Sequence, residues 1–494
     1  MNSQRSFHPW LILLFLSFFF KTQAQDCACQ VKDVHQNSVD PCTLSIGQEI
    51  IVSTVAEFKQ GISQINANGG NMTMLIEDGI YQVASTASFP YITASNVVIR
   101  SLSGNRDAVI IRGGGMMNTS STEDGFLIAG NNVTIADLTI REVGNHGIQV
   151  SGHHLFIHNV RIQNTFEQML KGSTSAERID SAIVQCSLFE YPDGIGPQWY
   201  IGGLDIHKGQ GWLVRDNVFK NISSPSQAVA EHAIHFWNNS ADNIIERNHI
   251  INCDRGVGFG LGSSANTGGI IRNNMIYNDG SKPYHDVGIG LETSPGTTVF
   301  NNTIFIAYQN AIEYRFQETT DVEIANNLTN KLIRSRNGGT ANKHHNFDDA
   351  EAIWFQNADS GNLYLAQDQV EIIAQGANLS HHFQDDIDQN PRPPNLNYDI
   401  GAHEFKFAVN TEQLGKESTF QLYPNPANHQ LTISKEGSLK GQLKIWDNMG
   451  LLTGELTIEN QESIDLTDFE NGMYFYEFTD LYGHRGTGQF IVYK

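Results

Sequence analysis

Between Gly203 and Phe316 the sequence sets out Asp205, His207, His235, Trp237, Arg255, Glu292, Glu313 and Arg315, with Lys208 beside them. These residue types can do acid–base work. An imidazole held by a carboxylate can take a proton, and a guanidinium or ammonium can neutralise an anion that develops beside it. Two carboxylates set apart can act as acid and base. An indole offers a flat platform.

The elements that carry these residues are five short lines: GLDIHK (203–208), AIHFWN (233–238), GVGFGL (256–261), GIGLET (288–293) and AIEYRF (311–316). Each has apolar residues at its second and fourth places, the period of a strand with one buried face. They recur at intervals of roughly 22 to 32 residues, the interval of a solenoid. In such a ladder equivalent positions on successive coils lie about 4.8 Å apart. Asp205, His235, Gly258, Gly290 and Glu313 then form one outward row, and His207, Trp237, Gly260, Glu292 and Arg315 a second. Asp205 should neighbour His235 and His207 should neighbour Trp237. The three glycines would leave a bare floor between two chemically dense ends.

A second phrase follows each rung: VRDNVF, IERNHI, IRNNMI, VFNNTI and IANNLT. Its fourth place is Asn217, Asn248, Asn274, Asn302 and Asn327, with Leu138, Val160 and Ser187 holding that place earlier, so at least eight coils can be counted. Stacked amides in these positions would bond one another and the turn backbone. This pattern resembles the right-handed parallel β-helix of the pectate-lyase-like superfamily and its asparagine ladder. The fold expected is therefore all-β, with a solenoid over residues 50–405.

The rest of the chain fits around that solenoid. Residues 1–24 read as a signal peptide, with an apolar run from Trp10 to Phe20 and a small-residue pattern ending at Ala24; residues 25–49 form an N-terminal segment. No other stretch is long and apolar enough to span a membrane, so the mature chain is expected to be exported and soluble. The formal charge of −22 argues against nucleic acid as a partner. Five cysteines leave an odd one; Cys42 is expected to pair with Cys27 or Cys29, and Cys186 and Cys253 to be buried and inert. VAEFKQGISQINANGG predicts an amphipathic helix that covers the first coil, whose open edge would otherwise be exposed.

Three long loops, 190–202, 223–232 and 278–287, each end where a rung begins and should wall one side of that sheet. The stretch DIDQNPRPPNLNYDIGAHEF resembles the closing segment of secreted β-helix proteins, which implies a capping role. Residues 406–419 read as a linker. Residues 420–494, with Pro-Asn-Pro, Gly-Met-Tyr and a terminal Lys494, resemble the type A sorting domain of the type IX secretion system of Bacteroidetes, a small β-sandwich. That resemblance implies handling by the secretion machinery and a destination at the cell surface or outside.

The β-helix resemblance implies a polysaccharide substrate, and first a polysaccharide lyase cleaving uronate glycans by β-elimination. His235, oriented by Asp205, would be the base, His207 the acid, and Arg315, Arg255 or Lys208 the cation facing the uronate carboxylate. Trp237, Glu292, Gly258, Gly260 and Gly290 would line the substrate trough. The specific signatures of the well-known pectate, alginate and chondroitin lyases are missing. A glycoside hydrolase would instead use Glu292 and Glu313, whose backbones should lie about 8 Å apart. A non-catalytic glycan-binding or surface protein is the third reading, because fold alone does not fix function. For metals, His207, His232 and His235 give marginal geometry for zinc, and no metal ligand is assigned; calcium stays open through Asp205, Asp254, Asp286 and Glu292.

Overall fold

The computed structural model describes residues 44–494 apart from 84–89, 120–122, 173–176, 368, 406–419, 436–439, 448–450, 460–461 and 481–484. The signal peptide, the N-terminal cysteines and the linker lie outside the described residues. The chain divides into two compact units at Phe405 and Lys406.

The first unit is a right-handed parallel β-helix of about ten turns. One sheet has twelve strands from Gln48–Val52 to Ala341–His344, and two others have ten each. Every strand pair in these three sheets is parallel. The reason lies in the two-residue period. Leu204, Ile206, Ile234, Phe236, Val257, Phe259, Ile289, Leu291 and Ile312 are all fully buried, and they stack rung on rung in one continuous core. The helix Val55–Ala67 packs Phe58, Ile62 and Ile65 onto the first coil, as expected. Its start is fixed by Thr54, which accepts from the Glu57 backbone while the Glu57 carboxylate accepts from the Thr54 backbone.

The asparagine row forms the ladder. Asn217 Nδ2 donates to Asn248 Oδ1 at 3.0 Å, Asn248 to Asn274 at 3.0 Å, Asn274 to Asn302 at 2.9 Å, and Asn302 to Asn327 at 2.9 Å. The row runs one coil further than the sequence phrase, because Asn327 Nδ2 donates to Asn346 Oδ1 at 2.9 Å. The residue before each ladder position turns the chain with a positive φ: Asp216 at 56°, Arg247 at 53°, Asn273 at 53°, Asn301 at 50° and Asn326 at 58°. Asn and Asp adopt that region most readily among residues with a side chain.

Two expectations need correction. The stretch 386–405 lies along the flank of the solenoid instead of capping its end. Asp385, just before it, accepts from Arg247 and Arg272, and the fully buried Arg392 donates to the Asn273 side chain, to the Gly401 and Ala402 carbonyls and to Glu404. The positive-φ turns leave polar side chains facing outward there, and this segment satisfies them. Cys186 is disulfide-bonded, where an inert buried thiol was expected. Cys253 matches the expectation: it is buried and free, and burial pushes its thiol up to about 12.

The second unit folds as two antiparallel sheets, three strands (Phe420–Tyr423, Gln430–Lys435, Glu462–Asp465) and four (Lys440–Trp446, Leu452–Glu459, Gly472–Asp480, Arg485–Val492). Leu431, Ile433, Leu443, Ile445, Phe478 and Phe490 form its core.

Candidate active site

Strand register places Lys171 beside Asp205, Asp205 beside His235, and His207 beside Trp237. Lys171 carries the row one coil further back than sequence reasoning reached. It alternates outward between the inward Leu170 and Gly172, and its pairing with Asp205 is the signal that could have found it.

Asp205 is the hub. Its side chain is 3% exposed, and it binds the Lys171 ammonium and accepts from Trp237 Nε1 at 2.7 Å. Burial would raise this carboxyl, but the His207 ring, the Lys171 ammonium and the His235 ring outweigh it and hold Asp205 far below the usual carboxylate range. Lys171 Nζ also donates to His207 Nε2 at 3.2 Å, so that nitrogen carries a lone pair, and the Asn238 amide meets His207 Nδ1 at 3.2 Å. Trp237 lies parallel to the His235 ring at 5.6 Å and tilted against His207 at 4.2 Å. Tyr200, at the end of the loop 190–202, stands within electrostatic reach of Lys171 and Asp205. Its hydroxyl is pushed up by burial and by the carboxylates of Asp205, Glu167 and Glu231.

His235 is placed differently from the expectation. Its side chain is 1% exposed, Nε2 donates to the Gly260 carbonyl at 3.1 Å, and Nδ1 faces Glu231 Oε2 at 3.5 Å and Asp205 Oδ1 at 3.8 Å. Neither ring nitrogen opens to solvent, so His235 does not reach a substrate proton directly. The glycine floor is also not bare. A Cβ on Gly258 would stand 2.7 Å from three ring atoms of His232, and one on Gly260, at φ +76°, would stand 1.7 Å from the Glu292 carbonyl oxygen. Gly258 makes room for an imidazole and Gly260 for backbone. A Cβ on Gly290 would stand 3.3 Å from Val287 and 3.6 Å from His232, much nearer to ordinary contact.

The far end is made of ion pairs. Arg315 binds Glu292, whose Oε2 also accepts from the Gly262 backbone at 2.7 Å. Glu313 accepts from Arg336 at 2.6 Å and from the Asn310 side chain. Arg255 donates to Asp286 at 3.1 Å, and Lys208 occupies a turn at φ +55° after its strand. The four carboxylates considered for calcium are engaged separately. Asp254, for one, accepts from the Ser224 and Ala230 backbones at 3.0 and 2.8 Å and so fixes the loop 223–232. Among the described residues the groups with convergent metal-ligand atoms are Glu231, His232 and His235, and Asp386, Asp388 and His403. His207 belongs to neither. Burial pushes His232 well below the usual imidazole range, and His235 and Arg255 add to that.

Residues 124–329 match the family described as right handed beta helix region, and residues 421–492 match the secretion system C-terminal sorting domain. The chain is a right-handed parallel β-helix protein with a secretion-system sorting domain. Among solved structures this β-helix protein is similar to the pectate lyase Pel9A, at 15% identity and a TM-score of 0.51 over 74% of this chain and 98% of that one. It is also similar to an alginate lyase from Paenibacillus sp. str. FPU-7 (14% identity, 61% and 99% covered, TM-score 0.38) and to PfbA, a surface adhesin of Streptococcus pneumoniae (13%, 60% and 87%, 0.34). At 15% identity the likeness to Pel9A is one of fold. No curated protein matches by sequence. The sorting domain indicates type IX export to the cell surface or outside, and among the described residues no helix is long and apolar enough to cross a membrane.

Proposed function

We propose that this β-helix protein is an exported carbohydrate-active enzyme, and specifically a polysaccharide lyase acting on uronate-containing glycans. The observation that carries the reading is the cluster of Lys171, Asp205 and His207 under Trp237 on the outward face of the solenoid sheet. β-Elimination needs a cation on the uronate carboxylate, a base for the proton beside it, and an acid for the departing oxygen. Lys171 supplies the cation. When its ammonium turns to the substrate carboxylate, the His207 Nε2 lone pair it held is released to take the proton. The imidazolium then returns that proton to the glycosidic oxygen as the C–O bond breaks and the C=C bond forms. Asp205 holds Lys171 and the Trp237 indole in place. The base role thus passes from His235, whose ring nitrogens face Gly260 and Glu231, to His207. The substrate class of Pel9A, a pectate lyase by name, agrees with this chemistry. The hydrolase pair is less favoured, because Glu292 and Glu313 are each already held by an arginine.

The test is incubation of the exported chain with a panel of uronate and neutral polysaccharides, following the ultraviolet absorbance of an unsaturated uronate beside reducing ends. Rising absorbance that disappears in His207→Ala supports the lyase. Reducing ends without absorbance, lost in Glu313→Gln and kept in His207→Ala, would transfer the chemistry to the carboxylates. Silence in both channels with retained glycan binding would overturn the enzyme reading.

A further inference from the structure

We propose that Glu231, His232 and His235 form a binding site for one divalent transition-metal ion of the zinc class. The inference does not rest on the lyase reading. The sequence EHAIH places the two histidines three residues apart, which would put them on opposite faces of an ideal strand. Ala233 and Ile234 are instead both fully buried, at the corner where the loop 223–232 enters the sheet. Both imidazoles therefore come to the outward side, their ring centroids 4.5 Å apart. One ligand atom from each of Glu231, His232 and His235 lies within 4.8 Å of the others.

A second observation points to a ligand between them. Glu231 Oε2, His232 Nδ1 and His235 Nδ1 are all buried, and none has a hydrogen-bond partner outside this group. His232 and His235 are 7% and 1% exposed. Buried polar atoms are normally bonded, so three such atoms in one cluster call for an explanation. The His235 ring sharpens it. Nε2 gives its proton to the Gly260 carbonyl, and Nδ1 is aimed at a carboxylate oxygen of Glu231 3.5 Å away. Those two atoms sit together with a cation between them, a proton or a metal ion, and only a metal ion would engage His232 as well. A ring N–H donating to a backbone carbonyl is also the usual outer-shell support of a metal-bound histidine. Gly258 belongs to the same arrangement, since any side chain there would collide with the His232 ring.

Two imidazole nitrogens and one carboxylate oxygen suit zinc-class ions, which take such sets with one coordination position left open. Calcium prefers oxygen alone. The other convergent group, Asp386, Asp388 and His403, is less suited, because the Asp386 oxygens already accept from the Asp388, Asn390 and Glu404 backbones.

The test uses the full chain stripped with chelator, titrated with zinc chloride by calorimetry and, separately, with cobalt chloride by visible spectroscopy. The expected result is one tight equivalent and a cobalt spectrum of a low-coordinate site with nitrogen ligands. E231Q and H232A should each weaken binding by about 10-fold or more with the circular dichroism spectrum unchanged, while H403A leaves it intact. Absence of a stoichiometric site in the wild-type chain would overturn the proposal, and so would tight binding that survives E231Q and H232A or is lost in H403A. Should the variants misfold, the wild-type cobalt spectrum decides alone: a six-coordinate, all-oxygen spectrum refutes the site.

Discussion

Asp205→Asn tests the hub of the candidate active site most directly. The substitution keeps the shape and an acceptor for Trp237 Nε1, but it removes the counter-charge of Lys171, whose side chain is 10% exposed. Breaking one partner of a buried ion pair costs about 3–5 kcal/mol, because the other charge stays buried and uncompensated. The single variant should therefore lose about that much stability, read as a lower urea midpoint for the solenoid. Adding Lys171→Met removes the orphaned charge. Replacing both members of a buried pair is often neutral, so the double variant should recover at least half of the loss. Activity behaves differently: with neither the cation nor its anchor, lyase turnover should stay depressed by about 10²-fold or more in the double variant. A single variant within about 1 kcal/mol of wild type would refute the buried pair. A double variant that recovers turnover together with stability would refute the role given to Lys171.

The ladder gives a graded expectation. Asn274→Ala deletes bonds to Asn248, Asn302, Ile245 and Arg272 in the middle of the row, each worth about 1 kcal/mol net, so it should cost about 3–5 kcal/mol. Asn346→Ala, at the half-buried end of the row, should cost clearly less, and equal urea shifts would contradict the stacking argument. Burial raises Asp137 to about 6 from 3.8, so its folded form binds a proton more tightly than the unfolded chain does. Its contribution is full below the unfolded value and is lost as pH rises through about 6, a swing of about 3 kcal/mol at most. Asp137→Asn should flatten that slope and stabilise the chain above pH 6, as followed by urea denaturation across pH; an unchanged slope would reject the assignment. With its thiol pushed up to about 12, Cys253 should resist a thiol reagent in the native protein and react only on unfolding.

The sequence by itself determined the solenoid. Apolar residues at alternate places, Asn at a fixed place and a recurrence every coil leave only a parallel ladder that satisfies both the core and the turn backbone. Because register converts place in the line into neighbourhood in space, the pairings of Asp205 with His235 and of His207 with Trp237 were legible too. Tertiary structure decided what those neighbours do. Lys171 could not be placed from the sequence because the coil around it has a weak apolar period, and only its pairing with Asp205 shows it outward. Glu231 and the loop-end Tyr200 come from irregular backbone that obeys no period. His232 could not be placed over Gly258 from its number in the chain, since three-residue spacing in a strand predicts the opposite face. Arg336, the partner of Glu313, shows the same limit, since register sets it opposite Arg315, whereas Arg315 beside Glu292 follows from the row. A strand's period fixes which way a side chain points, whereas its ion pairs and its burial depend on the loops and corners that close over it.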